Sequence, residues 1–159
     1  MKSELAWCSC LASVAALVLF IVGTSTTYWI KDKTVAVLGN VPDHVGLLWD
    51  AHPKDTPDKI KVVQAFSILA IFASAAAVFS CGAPLMPKQK LIPHTKAWVM
   101  GSSLAAVAFG LIAVAVYADF NKNDGSNVEY DWSFVLMCVA TALSAAPLLC
   151  SSTEMVKKY

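Results

Sequence analysis

Four stretches of this chain run without a charged residue for long enough to cross a lipid bilayer, and this limits its possible folds more than any other feature. The uncharged runs are Leu5 to Ile30, Val62 to Pro87, Ala97 to Ala118 and Trp132 to Thr153, each of 22 to 26 residues. A helix rising 1.5 Å per residue needs about 20 residues to cross a hydrocarbon core about 30 Å thick. Helix is the state such runs must adopt, because lipid offers no partner to a free backbone N–H or C=O. Composition agrees: 57% of the 159 residues are apolar and 14% charged, against about 25% charged in an average soluble domain. The sequence therefore predicts an all-α membrane protein, a single four-helix transmembrane domain with spans at about 5–30, 62–86, 97–118 and 132–152. The first run is longer than the apolar core of a signal peptide, so it reads as a helix that stays. Pro84 and Pro87 predict that the second helix ends near Gly82, and Pro147 predicts a kink in the last turns of the fourth.

Three segments join the spans: loops 31–61 and 119–131 on one side, and loop 87–96 on the side of both termini. The terminal side carries Lys2, Lys88, Lys90, Lys96, Lys157 and Lys158 against Glu4 and Glu154. The other side carries as many lysines, but in longer segments and among nine acidic residues. The denser positive charge of the short segments predicts cytoplasmic termini, in a multi-pass protein of the plasma membrane. In the long loop, Thr34 to Leu38 and Val45 to Trp49 are short apolar runs separated by Gly39-Asn40 and Pro42-Asp43, which is turn chemistry. This pattern predicts a small antiparallel hairpin standing on the helix ends.

Several function classes are excluded or disfavoured. Net charge is +1 and every one of the twelve basic residues is Lys, so nothing points to nucleic acid, and bidentate clamps that need Arg are missing. The span cores hold no ionisable acid or base, which disfavours a pump or a transporter with a midplane carboxylate. No nucleophile–base pair, phosphate loop or metal motif is present, so no catalytic residue, cofactor, metal or small-molecule substrate is expected. His44 and His52, among the loop aspartates, match no ligand spacing. Ser74, Ser102, Ser103 and Ser144 read as interhelical hydrogen-bonding residues. The small residues Gly101-x3-Ala105, Ala106-x3-Gly110 and Ala73-x3-Ala77 predict close helix contacts, within the bundle or with another membrane protein. Cys8 and Cys10 lie near a predicted helix end, where thiols are candidates for S-acylation.

The layout, with its long first outer loop, short basic inner loop and short second outer loop, resembles the claudin, peripheral myelin protein and epithelial membrane protein superfamily. Thr27-Tyr28-Trp29 resembles the opening of that family's first outer loop, and Gly46-Leu47-Leu48-Trp49 resembles its Gly-Leu-Trp with one extra Leu. Gln64-Ala65-Phe66 and Trp132-Ser133-Phe134 are similar to the openings of its second and fourth helices. Two departures stand out. Gln64 replaces the family's Arg, and no Cys occurs between Cys10 and Cys81, so the claudin loop disulfide cannot form. The resemblance implies a four-helix bundle capped by a small extracellular antiparallel sheet from the first outer loop. It implies a non-enzymatic protein that organises membranes by adhesion, lateral assembly or junction formation, or alternatively an auxiliary subunit of a channel or receptor. Its partners would be the lipid bilayer and either itself, as a homo-oligomer, or another membrane protein. Trp29, Val45, Gly46, Leu47, Leu48 and Trp49 would form the contact surface.

The four-span reading has a direct check. In a background lacking the native cysteines, Lys90→Cys and Lys157→Cys should react with an impermeant thiol reagent from one side of the membrane, and Lys33→Cys and Asp124→Cys only from the other. Labelling of Lys90→Cys and Asp124→Cys from the same side would contradict the expected crossings.

Overall fold

The computed structural model describes residues 2–26, 30–31, 44–45, 58–82, 95–123, 129–130 and 132–150. These residues form four helices, α1 (Lys2–Ser25), α2 (Asp58–Gly82), α3 (Thr95–Asn123) and α4 (Trp132–Leu143). After a turn at Ser144 and Ala145 the chain is helical again over 146–150. Three two-residue segments, β1 (Ile30–Lys31), β2 (His44–Val45) and β3 (Glu129–Tyr130), pair through their backbones. β1 lies between the other two and is antiparallel to both, with Ile30 opposite Val45 and Tyr130. Apart from His44 and Val45, the hairpin expected within 34–49 lies outside the described residues. β3 belongs to the 119–131 connection, which the sequence reading had not joined to the first loop.

The helix ends follow local chemistry. α2 stops at Gly82, two residues before Pro84, consistent with the poor fit of helical backbone ahead of a proline. In α4, Pro147 has no N–H to offer the Leu143 carbonyl and its ring crowds that carbonyl. The regular helix accordingly ends at Leu143, Ala145 N bonds the nearer Ala142 O at 3.1 Å, and the regular spacing returns with Leu149 N to Ala145 O at 3.2 Å. Two helices differ in extent from the uncharged runs that contain them. α1 ends at Ser25, where Ser25 Oγ donates to Ile21 O at 2.6 Å and Thr26 Oγ1 to Gly23 O at 3.4 Å. α3 continues past Ala118 to Asn123. Charge marks where a segment leaves lipid, whereas hydrogen bonding decides where a helix ends.

α1 packs against α2 and α4, and α3 packs against the same two. Neighbouring helices run antiparallel: Ser9 of α1 meets Cys81 of α2, Thr26 after α1 meets Ser133 of α4, Tyr117 of α3 meets Phe134 of α4, and in α2 and α3 Phe66 meets Phe109 while Ser74 and Ser103 line one cavity. The buried positions recur at alternating spacings of three and four. In α2 they are Ile60, Val63, Ser67, Ala70, Ser74, Ala77 and Cys81; in α3 they are Val99, Ser103, Ala106, Gly110, Ala113 and Tyr117. That alternation averages 3.5 residues, the repeat that keeps one seam facing its neighbours in a left-handed supercoil.

All four helices are long and apolar enough to cross a membrane, yet only 28–33% of each span is buried. Many large apolar side chains point outward, with Phe79 81% and Phe72 69% exposed, while nine of the buried described residues are Ser or Thr. Water would not tolerate such an exterior, whereas lipid would. The interior is graded along the axis. Towards the end bearing the strands, the core cluster contains Phe20, Ile60, Val63, Tyr117 and Met137. Towards the end where α1 begins, the buried positions among the described residues are Ser9, Ser13, Ala16, Ser74, Ala77, Cys81, Ser103, Ala106, Ser144 and Pro147, with Val99 the one larger aliphatic.

At Gly110, α3 packs directly against α4. A methyl group added there would collide with Thr141 Oγ1 and stand 3.1 Å from its Cγ2 and 3.2 Å from its Cβ. Thr141 cannot swing aside cheaply, because it is β-branched and its hydroxyl is bonded to Met137 O at 2.8 Å. Gly101 differs: it is exposed, and nothing lies within 4 Å of an added methyl. Gly110→Ala should therefore lower stability by about 1–3 kcal/mol, the usual range for overpacking. Gly101→Ala should be neutral or stabilising by about 0.5–1 kcal/mol through helix propensity. Unfolding of the detergent-solubilised chain measures both, and adding Thr141→Ala to Gly110→Ala should restore part of the loss.

Candidate functional site

Polar groups inside a lipid-facing bundle must find partners within it, so the hydroxyls of the interior mark where the helices interact most specifically. Near the strands, Thr26 Oγ1 and Ser133 Oγ lie 2.6 Å apart and join α1 to the start of α4. Thr24 Oγ1 donates to Met137 Sδ at 3.7 Å along the same seam. Close to these contacts, a methyl on Gly23 would meet Met137 Cγ at 3.2 Å and Ser133 O at 3.4 Å. At the other end, Ser9 and Ser13 of α1 lie 3.6 and 3.8 Å from the buried Cys81 thiol of α2. Aromatic contacts add to these: Phe66 and Phe109 at 6.0 Å join α2 to α3, and Tyr117 and Phe134 at 5.5 Å join α3 to α4.

The four serines singled out as interhelical partners behave differently. Ser102 Oγ donates to Trp98 O of its own helix at 2.7 Å, and Ser144 Oγ to Ala140 O at 2.9 Å. Ser74 and Ser103 have buried hydroxyls with no hydrogen-bond partner, as does Ser67. None of the four bridges two helices directly. A serine hydroxyl is short enough to reach its own preceding turn, and that local bond competes with any contact across the interface. The interhelical hydroxyl contacts instead involve Ser9, Ser13, Thr24, Thr26 and Ser133. A signal for the inward face was present in the seven-residue spacings Ser67–Ser74–Cys81 and Ser103–Gly110–Tyr117, which repeat the supercoil period.

Ser13 of α1, Ser74 of α2, Ser103 of α3 and Ser144, in the turn that follows α4, line a small, partly open cavity between the helices. Its remaining wall is an alanine from each of α1, α2 and α3 together with Pro147, and about 10 Å³ lies open between them.

The other sequence-derived residues fall as follows. Ala77, Ala106 and Gly110 are buried between helices, Ala73 and Ala105 are half-buried, and Gly101 faces outward. Cys8 is exposed and Cys10 half-buried, both in the first turns of α1. Val45 pairs with Ile30 through the backbone. Trp29, Gly46, Leu47, Leu48, Trp49 and His52 lie outside the described residues. Trp132 is exposed at the start of α4, while Trp7 and Trp98 are exposed at the opposite end of the bundle. Indole rings thus flank both ends of the apolar band, as they do at membrane–water boundaries. Among the described residues no group of three His, Cys, Asp or Glu is placed to hold a metal ion.

Compared with known proteins, the chain matches no family model and no curated sequence.

The burial of the thiols gives an order of reactivity. In lipid nanodiscs a small membrane-permeant alkylating reagent should modify Cys8 in the folded chain and reach Cys81 only when the bundle opens. Mass spectrometry over a time course reads the order, and modification of Cys81 as early as Cys8 would contradict the α1–α2 packing.

Proposed function

We propose that this chain is a non-enzymatic tetraspan membrane protein of claudin-like type, which organises membranes by adhesion, lateral assembly or junction formation. The observation that most supports this reading is the pairing of β1 with both β2 and β3. Through it, the segment that follows α1 is tied to both connections at one end of the bundle, α1–α2 and α3–α4. Such a tie gives two loops a common base, from which a surface that meets another protein or membrane can be built. On this reading the paired segments are the foot of an extracellular sheet from the first outer loop. Trp29 and Val45 to Trp49 form its contact surface, and both termini lie in the cytoplasm at the plasma membrane. Cys8, exposed in the first turns of α1, is the acylation site, with Cys10 beside it.

The character of the spans also favours organisation over transport. Their cores hold serine, threonine and alanine rather than the acids and bases that move protons or ions through membranes. The small residues allow close and specific helix contact, and outward-facing Gly101 leaves part of α3 open to a second copy of the chain.

Reconstitution of the full chain into phosphatidylcholine vesicles tests the reading. The chain should extract from them as a homo-oligomer, and the vesicles should cluster. Truncating an anchoring Trp typically costs about 2 kcal/mol, so Trp49→Ala should weaken clustering by roughly 30-fold with the bundle intact by circular dichroism. A chain that stays monomeric in dispersed vesicles would overturn the proposal. So would its recovery from native membranes as a one-to-one complex with a larger channel or receptor, which is the auxiliary-subunit arrangement.

A further inference from the structure

The serine cavity has the chemistry of a binding site, and this is independent of any adhesive role. Ser103 is fully buried and Ser74 98% buried, the latter by difference from its 2% exposure, and neither hydroxyl has a partner. Both residues line the same space. The serines that bond within their own helix make the contrast clear. Ser13 donates to Ser9 O at 2.9 Å and Ser144 to Ala140 O at 2.9 Å.

Donors and acceptors in the cavity complement one molecule in particular. Ser13 and Ser144 have committed their protons to carbonyls, so towards the cavity they can only accept. Ser74 and Ser103 have uncommitted protons and can donate. A water molecule donates two hydrogen bonds and accepts two, which matches this set of four groups. Size agrees as well: the open volume of about 10 Å³ is close to the minimum that admits one water, and polar cavities with two to four partners are the ones that fill. A cation would need charge neutralisation that four neutral hydroxyls do not supply inside lipid.

We propose that the cavity between Ser13, Ser74, Ser103 and Ser144 is a site for a single internal water molecule that joins all four helices. The water accepts from Ser74 and Ser103 and donates to Ser13 and Ser144. It thereby performs the cross-helix bonding that Ser74, Ser103 and Ser144 do not perform directly, and adds to the contact of Ser13 with Cys81 Sγ at 3.8 Å. Ser67 serves as an internal control, since its hydroxyl is also buried and unpartnered but lies outside the cavity lining.

The test is solution NMR of the isotopically labelled full chain in micelles, reading cross-relaxation between water and the backbone amides of residues 74–77 and 103–106. Long-lived water contacts are expected in the native chain and in Ser67→Ala. They should be lost in Ser74→Ala/Ser103→Ala, whose helical content is checked by circular dichroism. Should that double variant not fold, Ser103→Ala alone is expected to reduce the contacts. Absence of the contacts in the native chain, or their full persistence in whichever of these variants folds, would overturn the proposal.

Discussion

Two helix backbones can approach closely only where side chains are small, and the near contact of Gly110 with Thr141 shows how far this bundle uses that freedom. In lipid there is no expulsion of apolar surface from water to press helices together, so packing and polar contacts must hold them. Close approach brings whole backbone surfaces into van der Waals range and places short hydroxyls within reach of a neighbour. The Thr26–Ser133 contact and the thiol contacts of Cys81 depend on the helices being this near. A larger residue on the seam would separate the pair and weaken every contact above and below it.

The grading of the interior divides the work between the two ends. Phe20, Met137 and Tyr117 fill the half near the strands and give it a packed core of ordinary kind. The half where α1 begins has mainly serine, alanine and cysteine to fill its axis, and there the polar groups bear more of the specificity. Pro147 adds to this, because it frees a carbonyl in the same region and interrupts α4 next to the serine layer.

Much of the architecture was legible in the sequence because lipid leaves so few alternatives. Uncharged length gave the number of helices, and Pro84 located the end of α2 at Gly82. A run without charge measures what lipid accepts and not helix length: α1 ends at Ser25, inside its run, and α3 continues to Asn123, beyond the end of its run. The inward faces were harder to find. When every side of a helix is apolar, hydrophobic periodicity carries no phase, and Gly101 and Gly110 look alike as small residues four from another. What separates them is the company each keeps at a spacing of seven: Gly110 recurs with the hydroxyl-bearing Ser103 and Tyr117, and Gly101 with Ala108 and Ala115, a signal written in polarity rather than hydrophobicity. The direct serine bridges were also misread, because sequence gives no measure of competition from the local carbonyl. The Trp29 and Gly46 to Trp49 pattern falls outside the described residues, so the sequence alone speaks for it.

An interior more polar than its exterior also changes what opening the bundle means. Separating these helices within the bilayer would expose hydroxyls and alanine methyls to hydrocarbon, and would present almost no new apolar surface to water. The large heat-capacity increase of an unfolding soluble domain comes from apolar surface meeting water. Helix separation here lacks that source, and with it the curvature that makes soluble proteins loosen in the cold. Temperature should act on this bundle chiefly through the entropy of the freed helices and the fluidity of the surrounding lipid, so that cooling tightens it throughout.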